Sequence, residues 1–530
     1  MKYPIGIQSF EKLREEGYVY VDKTELIYNL THEGSVYFMA RPRRFGKSLL
    51  VSTLECYFLG KKELFGGLAI ERLETDWKAY PVFHLDFNTG SYAQPNSLTE
   101  AIGQALQQWE ARYGVHSQVD DFGRRFAHVL EAAHAATGLR AVVLVDEYDK
   151  PLLDVMDAGR QTEGKPEALS LEESNRETLK TFYSALKAAD AHLHFVFLTG
   201  VTKFSQVSMF SGFNQPNDIS MDVRYDTLCG ITDEELDACF AAPLQALADS
   251  YGMPMPDMRQ WLKRQYDGYH FSWRMKGVYN PFSLLCALQK GEIGDYWFMT
   301  GTPTSLVRLL RRYDENLDEL TANWHLAQDF IDYKADVERP LPMIYQGGYL
   351  TICEVQRRAG LFRLDFPNDE VRRGLVTLLA SNYLQPTVSV NSWMAQAVAA
   401  LEAGHLESFL QLLQSFLAGI PYTMRRKENE RERERYFHYT FYLLMRLAGT
   451  FVVRTEVQQS QGRADCIVET ARYVYVFEFK LDGTPDEALR QIVAQGYTRP
   501  YAADGRRVRA VGVNFSSATG TIDGWKAGFV

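Results

Sequence analysis

Residues 35–48 read Ser35-Val36-Tyr37-Phe38-Met39-Ala40-Arg41-Pro42-Arg43-Arg44-Phe45-Gly46-Lys47-Ser48. An apolar run typical of a buried strand leads through a basic loop into Gly-Lys-Ser, and the pattern predicts an apolar helix over residues 49–59. Such a strand, loop and helix N-terminus form an anion site, because unpaired backbone N–H groups and the helix dipole both attract negative charge. We therefore predict a triphosphate site in which Lys47 reaches the β- and γ-phosphates and Ser48 binds Mg²⁺. The residues expected to contact the nucleotide in this stretch are Arg41, Arg43, Arg44, Phe45, Gly46, Lys47, Ser48 and Leu49.

The loop departs from the common pattern G-x-x-x-x-G-K-[ST], because Arg41 stands where the first glycine is expected. A second element supports the interpretation: the valine-rich run 141–145 ends in Asp146 and Glu147. Such a run suits a central parallel strand, and open α/β sheets bind ligands at the carboxyl ends of their strands. We expect Asp146 to hold Mg²⁺ through water and Glu147 to polarise the attacking water; the alternative is a buried strand capped by solvated acids. Asp149, two residues before a proline, is expected to be a helix N-cap.

Composition indicates an ordinary globular protein of several domains. The chain has 530 residues, 46% of them hydrophobic and 23% charged, a length that suggests about three domains. No apolar stretch approaches the ~20 residues of a membrane span, the N-terminus lacks a signal-peptide core, and the cysteines form no C-x-x-C pair. We expect a cytoplasmic protein with no membrane partner. The net charge of −10 opposes general attraction to nucleic acid but permits a local basic groove.

Strand-like and helix-like segments alternate over the first two hundred residues, which predicts a parallel, doubly wound sheet. The strand candidates are residues 36–39, 82–87, 142–145 and 195–199, with helices predicted over 97–113 and 121–136. Thr199 ends the fourth strand. It is our candidate for sensing the γ-phosphate, and an ordinary helix or loop cap is the alternative.

Later segments predict three further domains. Residues 230–312 are mostly helical and suggest a lid, and residues 341–366 suggest a helix and hairpin of winged-helix shape, a shape used both by DNA-binding domains and by lids and adaptors. Residues 391–420 are an amphipathic helical stretch, and the mixed-charge run 425–435 is typical of a solvated helix face. The resulting boundaries are 1–225 for the ATPase domain, 226–330 for the helical lid, 331–420 for the connector and 421–530 for the last domain.

The last domain carries a second set of chemical groups. Strands are predicted over residues 462–468 and 473–480, and alternation along the second strand puts Glu478 and Lys480 on one face. If the two strands pair as a hairpin, Asp465 comes close to Glu478. Two carboxylates would then share one spot with an ammonium beside them.

This arrangement suits metal-assisted hydrolysis of phosphodiesters. Asp465 and Glu478 would hold Mg²⁺, with Glu434 as a further candidate ligand. Lys480 would position a water or stabilise negative charge, and Gln491 would hydrogen-bond the water or a phosphate. The alternative is a salt-bridged amphipathic hairpin, since D…E-x-K alone is an unspecific pattern.

Several segments spread over the chain match motifs of one family. They are Tyr3-Pro4-Ile5-Gly6-Ile7, Tyr20-Val21-Asp22-Lys23-Thr24, Arg41-Pro42-Arg43-Arg44-Phe45-Gly46-Lys47-Ser48, Leu198-Thr199-Gly200-Val201-Thr202-Lys203-Phe204, Tyr279-Asn280-Pro281-Phe282-Ser283, Gly462-Arg463-Ala464-Asp465 and Glu478-Phe479-Lys480. On these segments the chain resembles the bacterial AAA-ATPase-like proteins that carry a C-terminal PD-(D/E)XK nuclease-superfamily domain. The resemblance implies an AAA-like P-loop ATPase joined to a restriction-endonuclease-like fold, and it implies an arginine-rich phosphate loop. It also suggests a place near the nucleotide for Asp22 and Lys23, and it supplies no substrate.

The sequence thus predicts an α/β protein that binds ATP and Mg²⁺ and acts on nucleic acid, with DNA favoured over RNA. ATP would switch a Mg²⁺-dependent nuclease, in genome defence or mobile-element biology by analogy. Two alternatives stay open: a signalling ATPase whose nuclease-like domain binds nucleic acid or a partner without cleaving, and a nuclease in which nucleotide is a static structural ligand. The cations Arg41, Arg43, Arg44 and Lys47 would neutralise the triphosphate or, in an oligomer, act as arginine fingers.

Overall fold

The computed structural model describes residues 1–117, 119–155, 170–203, 216–300, 317–331, 340–384, 390–420, 430–447, 451–459 and 462–529. The chain forms two compact units. The first comprises Met1–Leu306 and Asn323–Asn368, and the second comprises Val307–Ala322 and Asp369–Val530. No helix within the described ranges is both long enough and apolar enough to cross a lipid bilayer.

Helices and strands follow one another along both units. The helices are α1 (Phe10–Glu15), α2 (Thr24–Glu33), α3 (Lys47–Phe58), α4 (Ile70–Leu73), α5 (Ser97–Tyr113), α6 (Phe122–Thr137), α7 (Lys150–Leu153), α8 (Leu171–Ala188), α9 (Asp233–Ser250), α10 (Met255–Tyr266), α11 (Pro281–Lys290), α12 (Tyr296–Met299), α13 (Leu317–Ala322), α14 (Ala327–Ile331), α15 (Leu341–Gln346), α16 (Asp369–Leu384), α17 (Val390–Ala403), α18 (Leu406–Ala418), α19 (Glu430–Leu447) and α20 (Pro485–Gln495). The strands are β1 (Val36–Ala40), β2 (Val82–Asp86), β3 (Ala141–Asp146), β4 (Leu193–Gly200), β5 (Asn217–Asp218), β6 (Tyr269–His270), β7 (Gly277–Val278), β8 (Trp324–Leu326), β9 (Thr351–Gln356), β10 (Leu361–Asp365), β11 (Val452–Gln459), β12 (Gly462–Glu469), β13 (Tyr473–Leu481), β14 (Arg507–Ser516) and β15 (Thr521–Phe529).

A five-stranded parallel sheet forms the centre of the first unit, in the order β2-β3-β4-β1-β5. The predicted parallel α/β architecture is therefore confirmed, and β5 is a short edge strand that the sequence did not predict. Strand β3 is buried along its whole length, as expected where helices cover both faces of a parallel sheet. The register pairs Met39 with Thr199 and Asp86 with Asp146, which brings the carboxyl ends of the strands to one edge.

The connection between β1 and α3 takes the form predicted for the phosphate loop. Gly46 is the N-cap of α3 and has φ 91°, a conformation that a side chain disfavours. Arg44 also has positive φ, at 67°. The helix begins at Lys47, two residues before the predicted start at residue 49, because the Leu50 amide already bonds to the Gly46 carbonyl.

The mostly helical region predicted after residue 230 is present in the described ranges up to residue 300. It packs around a core that includes Leu236, Phe240, Leu262 and Leu284. Helix α9 begins with a full capping box formed by Thr232 and Glu235. Residues 301–316 of the predicted lid lie outside the described residues.

The predicted helix and hairpin after residue 341 are also confirmed. Helix α15 is followed by the antiparallel pair β9 and β10, and β8 adds a third strand to the pair. The helical stretch predicted over residues 391–420 is confirmed and consists of two helices, α17 and α18, which are separated at Gly404, where φ is 78°. Of the charged run 425–435, residues 425–429 lie outside the described residues, and the rest belongs to α19.

A five-stranded mixed sheet in the order β11-β12-β13-β14-β15 forms the centre of the second unit. The predicted hairpin is confirmed: β12 and β13 run antiparallel, with Cys466 opposite Phe477. On its other side β13 pairs in parallel with β14, which makes β13 a central strand. The rings of Phe477 and Phe479 are 0% and 2% exposed and contact Phe441 of α19, which fixes one face of β13 against a core.

Candidate active sites

The ammonium of Lys47 lies inside the predicted phosphate loop and is 3% exposed. Its Nζ donates to the carbonyl oxygens of Arg41 and Pro42 at 3.2 and 3.3 Å. It also forms an ion pair with Glu147, with 3.1 Å between Nζ and Oε1. The fold thus joins the phosphate loop to the end of β3, the two elements that the sequence associated with nucleotide binding.

Asp146 and Ser48 meet at the same place. Burial raises the pKa of Asp146 to about 6, while a hydrogen bond with Ser48 and the nearby Lys47 oppose that rise. Glu147, the next residue, has φ 51°, and its amide donates to Asp146 Oδ1 at 3.1 Å. A buried carboxylate beside a hydroxyl is a fitting oxygen donor pair for a hard divalent cation.

Thr199 lies on β4, between the end of β1 and the end of β3. Its side chain is 0% exposed, and its hydroxyl has no hydrogen-bond partner among the residues that the structure describes. The hydroxyl therefore caps neither a helix nor a loop there. A buried hydroxyl without a partner is costly, so this donor suits a ligand that arrives at the same edge of the sheet.

Asp149 has a role that the sequence did not reveal. It is the N-cap of α7 by position, but its carboxylate makes no capping hydrogen bond. Instead the carboxylate accepts hydrogen bonds from the amides of Val201 and Thr202 and from the Thr202 hydroxyl, at 2.6 to 3.2 Å. Asp149 is completely buried. Its hydrogen bonds connect the segment after β3 to the segment after β4.

Arg41 is 1% exposed, and its guanidinium donates to backbone carbonyls. Nη1 donates to the oxygens of Ala40 and Ser220 at 2.9 and 2.8 Å, and Nη2 donates to Tyr225 O at 3.2 Å. The guanidinium also lies 4.1 Å from the centre of the Phe271 ring. The Arg41 side chain therefore holds segments of the first unit together.

The other side chains of the loop divide into two groups. Arg43 and Arg44 are exposed, and Arg44 lies 5.2 Å from the Phe282 ring. Phe45 is buried against Tyr269, at 4.7 Å between ring centres. Leu49 is partly buried. Phe45 thus anchors the loop, and the two arginines remain accessible.

Asp22 and Lys23 connect structural elements of the first unit. Asp22 accepts hydrogen bonds from the Thr24 amide and hydroxyl and from the Ala69 amide, at 2.7 to 2.9 Å. Lys23 pairs with Glu235, the third residue of α9, at 2.5 and 2.7 Å. Asp22 and Lys23 therefore contact the N-terminal ends of helices α2, α4 and α9.

The second unit brings together the acidic and basic groups predicted for metal-assisted hydrolysis. Asp465 Oδ2 accepts a hydrogen bond from the Phe479 amide at 2.7 Å. Together with burial, the negative charge of Asp465 raises the pKa of the neighbouring Glu478. Lys480 Nζ lies 3.4 Å from Glu478 Oε1. The same Nζ donates to Gln491 Oε1 at 2.8 Å, so α20 holds the lysine in place.

Glu478 is more deeply buried than Asp465 or Lys480. Its side chain is 2% exposed, and among the described residues its Oε2 has no hydrogen-bond partner. Burial and then the charge of Asp465 raise the pKa of Glu478 to about 7, against the lowering effect of Lys480. An additional positive charge at this position would stabilise the ionised pair.

Helix α19 approaches this group through a residue that the sequence did not single out. His438 Nε2 lies 4.0 Å from Asp465 Oδ2. Glu434, the predicted additional ligand, lies one helical turn earlier and is exposed. Within the described ranges no three His, Cys, Asp or Glu side chains converge as a metal-binding group, so no contact in the structure supports Glu434 as a ligand.

Comparison with known proteins assigns part of each unit to a protein family. A model described as predicted AAA-ATPase matches residues 4–210, and a model of the PD-(D/E)XK nuclease superfamily matches residues 432–525. The chain belongs to the AAA-ATPase-like proteins with a C-terminal PD-(D/E)XK nuclease-superfamily domain. An Azotobacter chroococcum mcd 1 protein, described as an uncharacterized protein in the vnfD 5' region, is 38% identical over 533 residues, 99% of this chain and 98% of that protein.

Each matched range of this AAA-ATPase-like protein contains one complete group of candidate residues. The first range holds the phosphate loop, Asp146, Glu147 and Thr199. The second holds Asp465 and the three residues Glu478, Lys480 and Gln491. For His438 the sequence did carry a signal, since it lies four residues after Glu434 and so on the same helix face.

Proposed function

We propose that this chain is an ATPase whose nucleotide state controls a metal-dependent nuclease acting on nucleic-acid phosphodiesters. The Glu478 carboxylate carries the proposal: it is buried, one oxygen lacks a partner among the described residues, and Asp465 lies beside it. Burying two neighbouring carboxylates is costly unless a cation neutralises them. Catalytic use of a divalent ion explains why such a pair exists.

In the nuclease, Asp465 and Glu478 would hold Mg²⁺. When bound, the ion would polarise the scissile phosphate and lower the pKa of a bound water. Lys480 would stabilise the negative charge that develops on the phosphate. Gln491 supports this role because it fixes the lysine Nζ at 2.8 Å.

In the ATPase, the backbone amides of the loop at residues 44–48 and the Lys47 ammonium would bind the phosphates of ATP. Ser48 and Asp146 would hold Mg²⁺, Glu147 would orient the attacking water, and Thr199 would donate its hydroxyl to the γ-phosphate. The exposed Arg43 and Arg44 would neutralise the triphosphate. The ion pair of Lys47 with Glu147 supports this arrangement, since it places both groups at one edge of the sheet.

DNA as the substrate, and a place in genome defence or mobile-element biology, extend this proposal by analogy. The test is cleavage of labelled double-stranded DNA, single-stranded DNA and RNA by the full chain, with Mg²⁺ or Mn²⁺, with and without ATP. ATP hydrolysis is measured in the same samples. The variants are Asp465→Asn, Lys47→Ala and, as a matched control, Asp523→Asn at an exposed position of the second unit.

We expect cleavage that requires the divalent ion, persists in Asp523→Asn and disappears in Asp465→Asn. Lys47→Ala should lose ATP hydrolysis and the ATP dependence of cleavage. ATP hydrolysis with no cleavage of any substrate would refute the nuclease and leave a signalling ATPase with a binding domain. Cleavage that ignores both ATP and Lys47→Ala would refute the nucleotide control.

A further inference from the structure

We infer that the tip of the β9–β10 hairpin, residues 357–360, binds a single strand of nucleic acid through Arg357, Arg358 and the neighbouring Trp273. Both arginines are exposed in the turn that joins the two strands. Trp273, in the turn between β6 and β7, is 39% exposed. All three residues belong to the first unit, so the inference goes beyond the nuclease proposed for the second unit.

The guanidinium of Arg357 lies on the ring of Trp273. Its Cζ is 3.4 Å from the centre of the ring. A stacked guanidinium uses its face for this contact, and its five N–H donors lie in the plane of the group and along its edges. Among the residues that the structure describes, no hydrogen-bond or ion-pair partner occupies these donors. The edge of the guanidinium is therefore available to a phosphate.

The turn that carries the tryptophan is held in place by hydrogen bonds. Asp226 is 1% exposed and accepts from the Ser272 hydroxyl at 2.6 Å and from Arg274 Nη2 at 3.0 Å. Strand β6, which leads into the turn, is joined to β9 because the His270 amide donates to Thr351 Oγ1 at 2.8 Å. The stacked pair thus stands on a fixed backbone, and little ordering entropy is lost when a ligand binds there.

The charge of the hairpin tip is not compensated by neighbouring acids. Other cations of the two hairpins each pair with a carboxylate: Arg274 with Asp226, Lys276 with Glu234 and Arg363 with Glu354. Arg357 and Arg358 have no such partner within the described ranges. The chain as a whole has a net charge of −10, so two unpaired guanidiniums form a local positive site that suits a phosphodiester backbone.

The exposed indole favours a nucleic-acid strand over an acidic protein. Bases stack on aromatic rings and on guanidinium planes, and every base has a face that can do so. An acidic protein would pair with the arginines but offers no base to the stacked pair. The bases of a duplex are already stacked on one another, so the arrangement suits a single strand.

The experiment measures binding of a fluorescein-labelled oligothymidylate of about 16 nucleotides to the full chain by anisotropy. Binding is followed in EDTA at several salt concentrations, and tryptophan emission is recorded with the unlabelled strand. The variants are Arg357→Gln, Arg358→Gln and Trp273→Phe. Arg112→Gln is the matched control, because Arg112 is an exposed arginine near an aromatic ring, 5.6 Å from the centre of Tyr113.

We expect Arg357→Gln and Arg358→Gln each to weaken binding by about fivefold at low salt and to reduce the salt dependence, the slope of log K against log salt, by about 0.7. Arg112→Gln should bind as the wild type does. Binding of the strand should quench tryptophan emission in the wild type, and Trp273→Phe should lose most of that change. All variants should keep the wild-type unfolding temperature, because the altered side chains are exposed.

Equal affinity of Arg357→Gln and Arg112→Gln, quenching that persists in Trp273→Phe, or no binding by the wild type would each overturn the inference. Duplex DNA and polyglutamate are tested in parallel. If Arg357→Gln loses binding to either of these and keeps binding to the oligothymidylate, the surface serves a duplex or an acidic protein instead. Because EDTA prevents metal-dependent cleavage, each of these results leaves the nuclease proposal to its own test with Asp465→Asn.

Discussion

Lys47 of the predicted phosphate loop forms an ion pair with Glu147, the residue after β3, with 3.1 Å between Nζ and Oε1. Lys47, which we propose binds the phosphates, is thus paired with Glu147, which we propose orients the attacking water. The two side chains are 3% and 18% exposed, so solvent screens the pair only weakly. A triphosphate bound at the proposed site would therefore have to compete with the Glu147 carboxylate for the ammonium.

Glu147→Gln should bind ATP more tightly and hydrolyse it far more slowly. The amide no longer competes for Lys47, and a gain of about 1.4 kcal/mol corresponds to tenfold in affinity. Titration with a fluorescent ATP analogue and phosphate release measure the two effects. Glu235→Gln, which breaks the Lys23–Glu235 pair in the same unit, is the control. Unchanged or weaker affinity in Glu147→Gln would contradict the competition.

Gly200→Ala should destabilise the first unit and impair ATP hydrolysis. A Cβ at residue 200 would collide with Asp149 Oδ1 and lie 2.7 Å from Tyr148 Cδ1. Crowding of this kind costs about 1–3 kcal/mol, and here it would loosen the link between the ends of β3 and β4. Urea unfolding and phosphate release are the measurements. Gly103→Ala, in the middle of α5 with 3.9 Å to the nearest atom, should be neutral or stabilising.

Glu478→Gln should raise thermal stability at high pH and change it little at low pH. The pKa of Glu478 is raised from 4.5 to about 7, so the folded state holds this proton more tightly than the unfolded chain. The wild type therefore loses stability as pH rises from 4.5 through 7. Unfolding temperatures from about pH 5 to about pH 8 test this, with a gain on the order of 1–3 kcal/mol at the upper end.

The control for this series is Glu407→Gln at an exposed position of α18. It should keep the loss of stability that the wild type shows as pH rises through 7. Mg²⁺ should raise the unfolding temperature of the wild type at high pH and have less effect on Glu478→Gln. A pH-independent difference between Glu478→Gln and the wild type would rule out a raised Glu478 pKa.

Gln491→Leu should lower cleavage by about 10-fold or more while the fold survives, because Lys480 loses the acceptor that holds its ammonium. Gln491→Glu keeps an acceptor there and should retain more activity. Val493→Ala alters a neighbouring exposed position of α20 and should leave cleavage unchanged. Equal cleavage by Gln491→Leu and Val493→Ala would show that Lys480 needs no support.

Arg41→Lys should destabilise the first unit by about 2 kcal/mol or more. The guanidinium reaches three carbonyls from two separate nitrogens while its planar group lies on Phe271, and the single nitrogen of an ammonium cannot reproduce that geometry. Arg43→Lys, at an exposed position of the same loop, is the matched control. Urea unfolding of both variants is the measurement. Equal stability of the two variants would contradict a structural role for the Arg41 side chain.

Sequence periodicity was sufficient to predict those elements whose structure depends on a short local pattern. The buried runs at β1, β3 and β4 and the Gly46-Lys47-Ser48 turn predicted the parallel sheet and its phosphate loop. Alternation along β13 predicted that Glu478 and Lys480 share a face, and their 3.4 Å contact agrees. Strands β14 and β15 were not predicted, although parallel pairing with β14 is what makes β13 a central strand.

The sequence by itself determined the strands and helices that carry the candidate residues, and which polar side chains follow those strands. It could do so because apolar spacing and helix caps act over a few residues. Only the tertiary structure decided the partners of these groups. Arg41 and Asp149 are charged residues beside a phosphate loop, and their burial against backbone carbonyls and amides depends on segments up to 184 residues away. His438 Nε2 lies 4.0 Å from Asp465 Oδ2 because α19 packs on β13, where Phe441 contacts Phe479. Long-range packing decides whether a charged side chain near the loop is buried as a structural anchor or stays accessible, since it alone sets which charges are desolvated together.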